Sequence, residues 1–522
     1  MNLLSSFCVQ NLVAVLIVLM QGKALPLIST YSFLLTAAST ITAPRSFGGN
    51  ETDYEALLAF KAKIQDPHSN TLSSWNDSLD FCNWPGITCG RRHGRVRIIN
   101  LVDQKLAPYI PHSIGNLTSL ESLSSRRNVL EGTIPDSLGR LKRLTSLLLG
   151  ENKLSGFIPP SLYNLSLITT FYLGGNGFRG SLPSNLGLHL TGKIPDIFGK
   201  LHHLSRLHFG SNNLGTGGDD EMAFHASLTN CSMLKVVSIN NNRLEGSLPI
   251  TVGNLSTYMA YFGLSGNHIV GRIPSGNLSL LSVLYLDDNK LKDTIPASLG
   301  GCKNLVSLGL SRKNLNGSIP EQLFGTSSVL FSLNLSHNQF TGSLPSTIGS
   351  LKGLSELDVS WNMLSGEIPT SLGGCTSLEV LHMEDNFFQG SIPSSFSSLR
   401  GIQFLDLSCN NLSGQLPNFL VTIPFISLNL SYNNFEGEVP RKGVFTNESA
   451  VSVVGNDKLC GGILELHLPE CPNKEPKKTK MSHLQYLLAI TIPCALVGVI
   501  TVSSFLFCWF KKKKKEHSSN TQ

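Results

Sequence analysis

Along the middle of this 522-residue chain, the side chains best able to do chemistry recur about every two dozen residues. Alignment of the recurring segments sets Tyr261, Tyr285, Asp287, Asp288, Glu356, Asp358, Trp361, His382, Glu384, Asp385, Phe404 and Asp406 on one side of successive short strands. Carboxylates beside exposed aromatics suit non-covalent recognition of a basic, extended segment. Like charges on adjacent strands repel unless something offsets them, and an exposed Trp is a common anchor for a partner. A solvated face whose scattered charge keeps a sheet soluble is the plain alternative. The earlier part of the same wall is basic instead, with Arg126, Arg127, Tyr172, Arg206 and His208.

Catalytic arrangements are not evident. The stretch GNGFRG (175–180) has phosphate-loop glycine spacing, yet Asn176 and Gly180 are positions of the repeat and no catalytic lysine follows. The fourteen histidines contain no HExxH pair, and His202–His203 reads as solvent-facing. No nucleophile, base and acid stand together, so neither an enzyme, a metal nor a cofactor is expected.

These residues are positioned by a repeat near 24 residues long that fills 96–440. The clearest copy is LKGLSELDVSWNMLSGEIP (351–369). Its recurrent Asn stands at Asn128, Asn152, Asn176, Asn212, Asn242, Asn267, Asn289, Asn338, Asn362, Asn386, Asn410 and Asn433, with Gln104 and Lys313 in the same place in two more copies. The L-x-L stretch predicts a strand with leucines inward and the intervening residues outward. The Asn amide, donor and acceptor at once, suits buried backbone at a turn. Gly-x-Ile-Pro then bends the chain, Pro excluding regular pairing. Fourteen such units predict an α/β solenoid, a right-handed superhelix with a parallel concave sheet, roughly 65 Å long at ~4.8 Å per strand. Three irregularities stand out. Ser125 replaces an inward leucine, Pro183 and Pro195 enclose only half a copy (184–195), and GTGGDDEMAF adds a loop between Asn212 and Asn242.

The flanks differ in kind. LVAVLIVLM (12–20) opens a signal segment over 1–43, with small residues at Ala37–Ala38 and Thr42–Ala43 offering cleavage sites; a retained anchor is the alternative. Tyr486–Phe510 has no formal charge over 25 residues, about 37 Å as a helix against a ~30 Å hydrocarbon core. Lys511–Lys515 follows as a positive-inside stop. That lysine block and the basic linker at 472–485 account for most of the formal charge of +6. The middle is nearly neutral, which excludes a nucleic-acid partner. Twelve N-x-S/T sequons, Asn50, Asn76, Asn116, Asn164, Asn230, Asn254, Asn277, Asn316, Asn334, Asn411, Asn429 and Asn447, all precede the apolar span. Asn334 and Asn429 fall within strands. Cys231, Cys302 and Cys375 share one slot of the repeat, three copies apart, and read as buried thiols too distant to pair.

In these residues the chain resembles the plant leucine-rich-repeat receptor-like kinases. The L-x-G-x-I-P variant, the front DYEALLAFKAKIQDPHSNTLSSWNDSLDFCNWPGITC (53–89), the insertion NNLGTGGDDEMAFHASLTNCSML (212–234) and the tail GVFTNESAVSVVGNDKLCGGILELHLPEC (443–471) carry the likeness. The last two resemble the immune-receptor subfamily that perceives bacterial proteins. The resemblance implies an N-terminal cap at 51–95 closed by Cys82 and Cys89, and a C-terminal cap at 441–471 closed by Cys460 and Cys471. It implies a single-pass type I protein of the plasma membrane with a transmembrane helix at 486–510. The expected partners are an extracellular peptide or protein ligand, a membrane co-receptor kinase and the lipid bilayer. No kinase signature follows the helix, only the tail 511–522. The reading is therefore a receptor-like protein of plant defence without its own kinase. A truncated or decoy form of a receptor kinase, or a gene-model fragment of one, is the alternative.

Overall fold

The computed structural model describes residues 50–65, 71–180, 201–215, 222, 224–275, 280–325, 329–472 and 483–517. The signal segment, the half copy, most of the added loop and Asn277 lie outside the described residues.

Among the described residues sixteen short strands build one continuous wall, from Ile87–Cys89 and Val96–Asn100 to Ser427–Asn429 and Val451–Ser452. The first pair is antiparallel and the others are parallel. Each strand contributes three residues or so because only the L-x-L portion alternates; the middle residue, most often leucine, is buried, as at Leu333, Leu357, Leu381 and Leu405. These leucines form one apolar core along the solenoid. Thr170–Tyr172 pairs directly with Arg206–His208, so the wall is continuous between these two strands.

The Asn ladder is met at Asn362. Its Oδ1 accepts from the Phe340 amide at 3.1 Å, and its Nδ2 donates to the carbonyls of Leu335 (3.0 Å), Val359 (3.1 Å) and Ser360 (3.0 Å). One side chain thus satisfies buried backbone in two adjacent coils, where an unpaired group would cost about 1–3 kcal/mol.

Two features were not expected. The N-x-L-x-G stretch after most ladder Asn residues, though not after Asn242, forms further parallel strands, such as Met363–Glu367 and Phe387–Gly390, in lateral sheets of four and nine strands among the described residues. The bend expected at Gly-x-Ile-Pro begins only after this second pairing. In addition, the residue before the ladder Asn adopts left-handed backbone even when it is not glycine: φ is 52° at Asp288 and Trp361, 54° at Asp385 and 52° at Cys409. Such φ values are unfavourable for a side chain with a Cβ. The ladder Asn holds them by bonding the carbonyls of the two residues before, Val359 and Ser360 in the coil of Trp361.

At the front, helix Glu51–Lys61 buries Asp53, whose carboxylate accepts from the Val96 amide at 2.8 Å and pairs with Arg95 at 2.8 Å. Trp75 and Trp84 stack beneath it at 5.3 Å. Cys82 and Cys89 are disulfide-bonded to each other, and Cys460 and Cys471 are each in a disulfide. Cys231, Cys302 and Cys375 are buried and outside the disulfides.

Residues 470–522 form a separate unit. In it, helix His483–His517 contains the span Leu487–Lys513, mean hydropathy 2.1, long and apolar enough to cross a membrane.

Candidate functional site

The wall residues gather in rows because strand register is preserved from coil to coil. Asp358, His382 and Asp406 are direct partners on three neighbouring strands, and Asn429 continues the row. Glu356, Val380 and Phe404 form the row beside it. None of these positions holds Lys or Arg, so the carboxylates have only His382 among them as a potential cation.

The carboxylates are held by local donors. The Asp358 Oδ1 accepts from the amide (3.1 Å) and hydroxyl (2.6 Å) of Ser360, and Asp406 repeats this with Ser408 at 2.9 and 2.6 Å. The Asn429 Nδ2 donates to the second oxygen of Asp406 at 2.9 Å. Glu356 accepts from the Ser332 hydroxyl at 3.0 Å. His382 Nδ1 lies 3.3 Å from Glu384 Oε2. That contact with Glu384 raises the imidazole pKa against the opposing effect of burial, with Asp358 and Asp406 adding to the rise. Asp385 is also raised, by burial and by Asp406.

Trp361 stands 51% exposed at its left-handed position and stacks on His337 at 5.4 Å. Asp288 and Asp385 occupy the same position in their own coils. Cys409 does too: a half-exposed free thiol beside Asp385 that the sequence reading passed over, although its place before Asn410 marks it.

Two expected wall residues sit differently. Tyr261, expected in the open, is 6% exposed, because Val236 and Val283 on the flanking strands close over it and Tyr285 packs at its edge. The Tyr285 hydroxyl bonds Ser307 at 2.9 Å, and burial pushes its pKa up to about 12. Asp287 accepts from the Ser311 amide (2.9 Å), the Ser311 hydroxyl (3.0 Å) and the Ser265 hydroxyl (3.1 Å), so it braces the wall from both sides. The open acidic and aromatic surface is thus centred on coils 356–409, not on 261–287.

The basic end is self-paired. Arg126 contacts Glu151 at 2.5 Å and lies 4.1 Å above the Tyr172 ring, while Arg127 reaches the other Glu151 oxygen at 2.8 Å. Burial, then Arg206 and Arg126, push His208 down to about 4, so it stays neutral.

Residues 50–90 match the family described as leucine rich repeat N-terminal domain, and 143–165, 280–302, 330–351, 353–375, 377–399 and 401–422 match Leucine Rich Repeat. The chain is 48% identical over 86 residues to the LRR receptor-like serine/threonine-protein kinase EFR of Arabidopsis thaliana; the match covers 16% of this chain and 8% of that protein. Its fold is similar to the LRR ectodomain of the plant membrane receptor kinase GASSHO1/SCHENGEN3 from Arabidopsis thaliana, in complex with CASPARIAN STRIP INTEGRITY FACTOR 2. That similarity has a TM-score of 0.55 and 29% identity, over 70% of this chain and 50% of that one. The plant peptide hormone receptor RGFR1, in complex with RGF2, is similar at a TM-score of 0.51 and 30% identity, over 68% of this chain and 61% of that one.

Proposed function

Because the chain belongs to the plant leucine-rich-repeat receptor-like family, we propose that it is a single-pass plasma-membrane receptor-like protein that binds an extracellular ligand along its concave wall. The ligand is a basic, extended peptide or protein segment lying across the coils from Asn289 to Asn410. The observation that carries this is the unneutralised row Asp358, His382 and Asp406 beside the exposed Trp361. A cationic chain laid along it would offset the repulsion between strands, and Trp361 would serve as its anchor. The similar ectodomains that hold peptide ligands support a peptide over a small molecule.

The remaining roles follow the resemblance. The sequons before the apolar span and the lysines after it support an extracellular N-terminus, with the lipid bilayer around Leu487–Lys513. Following the same resemblance, we assign signalling to a membrane co-receptor kinase, in plant defence.

The test uses the full chain in nanodiscs against panels of basic, neutral and acidic peptides of equal length. Saturable binding confined to the basic panel, weakened at least ten-fold in the double variant Trp361→Ala, Asp358→Asn, is expected. A loss smaller than about two-fold, some 0.4 kcal/mol, places the ligand elsewhere on the chain.

A further inference from the structure

Three metal-ligating side chains meet on the wall, although sequence spacing separates two of them by a full coil. His382 and Asp406 are register partners on neighbouring strands, and Glu384 stands two residues beyond His382 on the same face. One donor atom from each lies within 4.8 Å of the other two, and among the described residues no other such trio occurs.

The details favour a shared ion over a simple pair. His382 Nδ1 and Glu384 Oε2 are 3.3 Å apart, yet they are not aligned as a hydrogen bond and both atoms are shielded from solvent. In a tetrahedral site with bonds of about 2.1 Å, neighbouring ligand atoms lie roughly 3.4 Å apart. The His–Glu separation therefore matches one edge of a tetrahedron. The Asp406 oxygen, within 4.8 Å of both, would reach the next edge by a movement of at most about 1.4 Å. That carboxylate is already oriented from behind by Ser408 and Asn429, the kind of outer support that ligating carboxylates use. Asp358 adds negative charge beside His382 and Asp385 beside Asp406, and no Lys or Arg on these strands cancels it.

We propose that His382, Glu384 and Asp406 form a binding site for a divalent first-row transition ion of the zinc class. One imidazole with two carboxylates suits such an ion better than calcium or magnesium, which prefer all-oxygen sets. Water fills the remaining position, open to the concave face. The site shares His382 and Asp406 with the surface proposed for the peptide, and its test uses the metal alone, so that its failure and the failure of the peptide reading are distinguishable.

The full chain, purified in detergent without a polyhistidine tag and stripped with chelator, is titrated calorimetrically with zinc chloride. One saturable site is expected, weakened at least ten-fold in both His382→Gln and Asp406→Asn. Cobalt substituted for zinc should give visible absorption that His382→Gln abolishes, and a tenfold excess of calcium should not displace it. Circular dichroism checks that each variant is folded, and Glu384→Gln replaces any that is not. Absence of saturable binding, equal affinity in wild type and variants, or displacement by calcium would each overturn the assignment.

Discussion

Replacing Lys313 by Asn should stabilise the solenoid, and by an amount that depends on pH. Lys313 occupies the ladder position, 6% exposed, and its Nζ has no hydrogen-bond partner. Burial lowers its pKa from 10.5 to about 8, against the opposing pull of Asp287 and Asp288. A shift of that size corresponds to about 3 kcal/mol at neutral pH. The sign follows from proton uptake: the unfolded chain binds the proton more tightly than the folded one. The deficit is therefore complete below pH 8, shrinks as pH rises toward 10.5, and vanishes above it. Lysine also offers no acceptor to the Leu291 amide, whose counterparts Ile269 and Leu315 bond Asn289 and Asn338 at 3.0 and 3.2 Å. Lys313→Met removes only the charge, whereas Lys313→Asn removes it and restores the ladder. Native-state hydrogen exchange of the amides in 286–315 reads the local opening free energy without assuming that the whole array unfolds at once. At pH 7 protection should rise roughly 100-fold in both variants, the equivalent of about 3 kcal/mol, with Asn above Met. At pH 10.5 the advantage of Met should disappear and that of Asn should shrink. A gain independent of pH, or no gain at pH 7, would refute the argument that a buried ammonium is the cost.

His382, raised by Glu384, should stabilise the wall below its unfolded pKa near 6.5, with that contribution lost as pH rises through its higher folded value. An NMR titration of the imidazole together with pH-dependent unfolding of His382→Gln checks this. Cys82→Ser should destabilise the N-terminal cap by about 2.5 kcal/mol, the closure entropy of so short a loop, read as faster proteolysis near Trp75 with the C-terminal coils unaffected. Glycosidase treatment of the chain expressed in plant cells should lower its mass by several glycans. Substituting the exposed Asn116 or Asn164 should remove a step each, whereas Asn429, bonded to Asp406 and Ser431, should remove none. No mass shift at all would contradict an extracellular middle.

Period and residue type alone determined the architecture, because each coil touches only its neighbours and so position in the repeat is position in space. The inward leucines, the ladder Asn and the strand wall could be listed by counting, and the same counting put Asp358, Trp361 and Asp406 on one face. The second strand escaped because N-L-S-G is too short to show a period, and its pairing exists only when coils stack. The left-handed φ before each Asn escaped because Trp361, Asp385 and Cys409 have little in common as residue types; the bonds of the ladder impose it, not the residue. Burial of Tyr261 was decided by Val236 and Val283 in other coils, and engagement of Asp287 by serines 22 and 24 residues away. The meeting of His382 and Glu384 with Asp406 was likewise a matter of register and rotamer. Counting can say which face a side chain takes, but what it touches there depends on the coils on either side.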